Sequence, residues 1–106
     1  MEKGFSLYVR EHEKDLLPGI KIELLRRDGA SAEIGKRVER VNLLMGVVSS
    51  PVAAAIAPLA TEARVRFIIT DAAGVAIPRL SPYIVRVSFT IWQSAHPLGK
   101  WAAAQG

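Results

Sequence analysis

The densest set of reactive side chains is Glu11-His12-Glu13-Lys14-Asp15, one imidazole and three carboxylates within five residues, a donor set that a divalent cation accepts. Adjacent residues of an extended loop point apart and Lys14 repels a cation, so the stretch reads as a solvated charged loop, with no metal and no cofactor. His96, ahead of Pro97, has no acidic or nucleophilic neighbour in sequence and takes no role. There is no cysteine, which excludes thiol nucleophiles, disulfides and thiolate metal sites. No Gly-x-Gly or Gly-Lys-Ser/Thr run is present to cradle a phosphate. The carboxylates lie mostly beside bases, as in Glu39-Arg40 and Glu62-Ala63-Arg64, and such solvated pairs are worth under about 1 kcal/mol each. No catalytic residue is assigned, and an enzyme would need a pocket composed from distant residues.

Anion recognition is the other chemistry on offer. Fourteen Lys and Arg stand against ten Asp and Glu, a formal charge of +4. If the strands read below alternate regularly, Arg10, Lys21, Arg64, Arg66 and Arg86 share one sheet face, and a helix beside it adds Arg37 and Arg40. Tyr8 and Trp92 fall on the same parity. Phosphates pair with such charges and bases stack on such rings, so RNA or single-stranded DNA is one expected partner. The plainer reading is a wet sheet face whose long basic stems cover apolar surface.

The elements that would hold these residues follow from periodicity. The 106 residues make one domain, since two would each be too small to bury a core. Phe5, Leu7 and Val9 alternate, predicting a strand over 5–10; Ile20, Ile22 and Leu24 predict another over 20–27, ended by Asp28-Gly29. Ile34, Val38, Val41, Met45 and Val48 recur three and four apart and predict a helix over 32–45. Gly35 and the β-branched Val38 and Val41 weaken that helix, leaving a strand over 36–48 as the alternative. Ser50 and Pro51 start an Ala-rich helix over 51–62, read as covered all round. Val65, Phe67 and Ile69 give a strand over 64–70, and Tyr83, Val85, Val87, Phe89 and Ile91 give a long one over 83–93.

These elements compose an α+β fold: a four-stranded, mostly antiparallel sheet with the central helical segment on one face, the alternative being an all-β sandwich. Residues 1–93 form the domain and 94–106 an irregular tail docked through Trp101. The stretches Val9–Leu25 and Ile69–Val87 share a faint strand, loop, Pro, strand order with transthyretin-like β-sandwich modules. Neither holds a diagnostic motif, and no family is recognised from it.

Residues 41–61 carry no charge, but Pro58 and the amide of Asn42 argue against a membrane span. So much apolar surface in so short a chain predicts a non-enzymatic, self-associating structural or interaction module, a homo-oligomer. Its interface would use Val47, Val52, Ile56, Leu59, Trp92 and Trp101. Nucleic-acid binding through the cationic face is the alternative. A further one is attachment to an anionic membrane surface through the bases around Arg37 and the uncharged segment beside them. No small-molecule substrate is identifiable. The amino terminus lacks the apolar core of a secretory signal, which predicts a cytoplasmic protein.

Overall fold

The helix that organises the molecule is the Ala-rich one, here α2, Ser50–Glu62. Pro51 in its first turn costs no hydrogen bond, and alanine is the best helix former, so the segment is helical on local grounds. Ala53, Ile56, Ala57 and Ala60, spaced three, one and three apart, are buried, while Ala54, Ala55 and Pro58 are exposed. The cover is therefore one-sided, not all round. Under α2 lie Phe67, Ile69 and Ile84 from the sheet and Ala72 and Ile77 from the connection that follows its central strand.

This computed structural model describes residues 2–26 and 41–106. Its sheet has three strands in the order β1 (Leu43–Gly46), β2 (Arg66–Ile69), β3 (Ile84–Arg86), and both pairings are parallel. The four-stranded, mostly antiparallel sheet is thereby corrected to a three-stranded parallel α/β arrangement. The cause is the connection: α2 carries the chain from the end of β1 back to the start of β2, which forces both strands to run the same way. Register sets Leu44, Phe67 and Ile84 on the α2 side and Met45, Ile68 and Val85 on the other.

Other expectations are corrected locally. Residues 5–10 are not a strand but part of helix α1, Glu2–Glu11. Phe5 and Val9, four apart, are its half-buried positions, and His12 just past its end is half-buried three residues on, so the short alternation there is one reading of a helical stripe. Residues 20–26 form neither strand nor helix. Most of the predicted 32–45 helix lies outside the described residues; its last part, 43–45, is β1, in line with the alternative strand reading. The 83–93 strand shrinks to β3, and 91–105, expected as strand end and irregular tail, form helix α3, Ile91–Gln105. Thr90 and Gln93 close a capping box that starts it.

Candidate functional site

In an open parallel sheet, ligands bind beyond the carboxyl ends of the strands, where loops and helix amino termini converge. Here that rim is built by three segments. β1 leads through Gly46 and Val47 into Ser49 and Ser50 at the start of α2; β2 leads into Thr70–Gly74; β3 leads into Val87, Ser88 and Phe89.

Backbone bonds tie the first two together. Thr70 N–H donates to Gly46 O at 3.2 Å and Ala72 N–H to Val47 O at 2.9 Å. To make these bonds the chain turns sharply as it leaves β1, with Gly46 at φ 119° and Val47 at φ 70°. The second value is unfavourable for a β-branched residue and marks local strain at the rim. Ser50 Oγ accepts from Gly74 N–H at 3.1 Å, and a Cβ on Gly74 would stand 3.0 Å from that oxygen and 2.9 Å from Ile77 Cδ1, so the loop packs closely on α2 at this glycine.

The third segment is fastened to the same loop. Arg86 Nη1 donates to the carbonyls of Gly74 at 2.6 Å and Ala72 at 3.3 Å, with Nη2 3.5 Å from that of Val75. Ile91 N–H donates to Ala73 O at 2.9 Å. Between them Ser88 Oγ is buried and unpartnered, the one such side-chain atom among the described residues.

The electrostatics of the rim favour an anion at one point. Amides in the first turn of a helix lack intrahelical acceptors, and those of Ser49, Ser50 and Val52 stand at the positive end of α2, Pro51 having none. No acidic residue occupies that turn, and the Ser49 side chain makes no capping bond. Half-buried Asp71 adds one carboxylate to the neighbouring loop.

The residues singled out from sequence are scattered by this fold. Of the cations, Arg10 lies in the last turn of α1, Lys21 in the irregular stretch 20–26, Arg66 is exposed on β2, and Arg37 and Arg40 lie outside the described residues. Arg64 sits at φ 53° just past the end of α2 and serves its termination, with Val65 N–H on Ala60 O at 2.9 Å and its own N–H on Thr61 O at 3.2 Å. Of these cations, among the described residues only Arg86 reaches the rim, as a brace for carbonyls. Of the six apolar residues, Ile56 is core, Val47 and Val52 pack against the core, Leu59 is half-buried, and Trp92 and Trp101 stand exposed on α3. His12 closes α1, its Nδ1 2.9 Å from the Tyr8 carbonyl, and no cluster of three metal-binding side chains forms among the described residues. Sequence reasoning overlooked Ser49, Gly74 and Ser88; the run Gly46-Val47-Val48-Ser49-Ser50-Pro51, a strand end passing into a helix start, was the signal available.

Known proteins place this rim in context. No protein-family model matches the chain. A Leu/Ile/Val-binding protein homolog 6 of Brucella abortus is 37% identical over 112 residues, covering 97% of this chain and 28% of the relative. A solute-binding protein of an ABC transporter from Rhodopseudomonas palustris BisB5, solved with 3,4-dihydroxybenzoic acid, superposes with TM-score 0.79 and 38% identity over 99% of this chain and 31% of that one. A second from R. palustris, solved with 4-hydroxybenzoate, gives TM-score 0.85 and 33% identity over the same shares. The chain is similar to solute-binding proteins of ABC transporters. It spans less than a third of their length. The expectations of a self-associating module, of a nucleic-acid or membrane-surface binder, and of no identifiable small-molecule partner are corrected by this likeness. Among the described residues no helix is long and apolar enough to cross a membrane.

Proposed function

We propose that this chain is a solute-binding segment of the ABC-transporter type, holding a small carboxylic acid with an apolar body at the carboxyl-terminal rim of its sheet. The supporting observation is the uncapped amino terminus of α2, with the free amides of Ser49, Ser50 and Val52 and no acidic residue in the turn, set in a rim tied together by Ser50, Gly74 and Arg86. The relatives' ligands fit that chemistry, since hydroxybenzoates are carboxylates on an apolar ring. Ser88 offers a buried hydroxyl for a second polar group of the ligand. A role of this kind works on the side of a membrane from which solute is supplied, at odds with the cytoplasmic placement read from the amino terminus.

Titration of the isotope-labelled chain with 4-hydroxybenzoate, and separately with leucine, tests the reading by amide chemical shifts. A rim open on one side is expected to bind in roughly the millimolar range, about −4 kcal/mol. The amides of Ser50, Val52 and Gly74 should move with at least one of the two compounds. Ser49→Asp should weaken that binding about tenfold, because its carboxylate occupies the same amides, while leaving the melting temperature unchanged or raised, aspartate being a good helix cap. Shifts absent from these amides with both compounds would overturn the reading.

A further inference from the structure

The loop that follows β2 engages its carbonyls within the protein. Arg86 Nη1 donates to Gly74 O at 2.6 Å and to Ala72 O at 3.3 Å, and Nη2 stands 3.5 Å from Val75 O. Between them, Ala73 O accepts from Ile91 N–H at 2.9 Å. Each carbonyl from Ala72 to Val75 therefore meets a donor of the chain. The end of β1 is in the same condition, with Gly46 O and Val47 O taken by the amides of Thr70 and Ala72.

The donors of the rim are placed the other way. First-turn amides of α2 have no intrahelical acceptor, and the Ser88 hydroxyl, buried and unpartnered, has a hydrogen to give. The rim is thus rich in donors and poor in acceptors. A carboxylate only accepts hydrogen bonds and an ammonium only donates them, so the first finds partners here and the second does not.

Charge acts in the same direction. The Arg86 guanidinium stays protonated, and among the described residues no carboxylate pairs with it. It holds Gly74 O while Gly74 N–H donates to Ser50 Oγ, so a single residue separates this cation from the start of α2. Half-buried Asp71 is the one carboxylate on the three rim segments, and it offsets the net charge without freeing a carbonyl.

We infer that Arg86 is a specificity-determining residue of this site: by occupying the carbonyls of Ala72, Gly74 and Val75, it makes the rim take carboxylic acids that lack an amino group in preference to the corresponding α-amino acids. The inference rests on the solute-binding reading and ranks 4-hydroxybenzoate ahead of leucine. Arg86 acts through the loop, as a positioning residue, by withdrawing the acceptors that an ammonium needs.

A matched pair of ligands tests this. 4-Methylpentanoate is leucine without its amino group, so the ratio of the two dissociation constants isolates the ammonium. The isotope-labelled chain is titrated with each and followed at the amides of Ser50, Val52 and Gly74. 4-Methylpentanoate should bind at least about tenfold more tightly, since a desolvated donor left without an acceptor costs a factor of that order. Arg86→Met, which removes the donors and the charge, should narrow the ratio to about threefold or less by raising the affinity for leucine. Arg86→Lys keeps the charge but gives up the planar fork, and should narrow the ratio by a smaller factor. It carries the test if the urea midpoint shows that the Met variant does not fold.

A parent chain that binds leucine as tightly as 4-methylpentanoate overturns the inference with no variant needed. A ratio unchanged in the folded variants overturns it too, as does loss of both ligands from a folded variant, the mark of a brace that is structural only. In each of these cases the parent still binds at the rim and the solute-binding reading stands. Amides of the parent that respond to neither compound, nor to 4-hydroxybenzoate, overturn both.

Discussion

At residue 64 the chain places an arginine where glycine is the ordinary choice. Arg64 adopts φ 53° so that Val65 and Arg64 can return their amides to Ala60 and Thr61 and close the end of α2. The left-handed conformation costs a residue with a Cβ about 1–2 kcal/mol, and glycine's extra freedom in the unfolded chain returns roughly half of that. The first term wins. Arg64→Gly should therefore stabilise the fold by about 0.5–1 kcal/mol, read as a higher urea midpoint at unchanged slope. A lower midpoint would mean that the guanidinium makes a stabilising contact outweighing the strain. The same reasoning separates charge from function: a basic residue in a sequence is as readily a helix stop, as here, or a carbonyl brace, as at Arg86, as it is an anion site.

At the scale of elements, α3 is held by its cap rather than by packing. Thr90 Oγ1 accepts from Gln93 N–H at 3.2 Å, and Gln93 Oε1 accepts from Thr90 N–H at 2.6 Å. A helix of fifteen residues is marginal by itself in water, so losing a cap worth about 0.5–2 kcal/mol should fray it. Thr90→Ala is expected to lower the helical signal in far-ultraviolet circular dichroism while leaving the thermal midpoint of the α2–β2 core in place. A fall in that midpoint with helicity intact would show that α3 packs on the core. This cap also explains what was legible in the sequence. The Thr90-x-x-Gln93 pattern was present but lay inside an alternation, Val85 to Ile91, that outweighed it, and the strand was extended through a helix start. At the other end, Phe5 and Val9 fit both periods while exposed Leu7 fits only the strand, and counting His12 with the apolar face reveals the helix. The Ala-rich helix and the strand after it were readable because their signals are local and agree. The parallel pairing was not, since strands of three or four residues carry too little alternation to show which face is wet. Nor was the rim, whose partners Ser50, Gly74 and Arg86 meet only through the fold.

For the whole molecule, the area left open sets how steeply denaturant acts on it. An unfolded chain of 11.5 kDa exposes about 16,700 Å², so folding to 8376 Å² buries roughly 8,300 Å², against about 10,900 Å² for a compact domain of equal mass. The urea slope is proportional to this difference. The isolated chain should therefore unfold with a slope about three-quarters of that of compact domains of its length, a lower cooperativity that follows from geometry and not from a weak core, since Phe67 and Ile69 are fully enclosed. Equilibrium urea denaturation followed by fluorescence and circular dichroism measures it directly. A slope equal to that of a compact domain would mean that the exposed residues Val85, Val87, Phe89 and Ile91 and the helix α3, none of whose residues is buried, fold back onto the chain in solution.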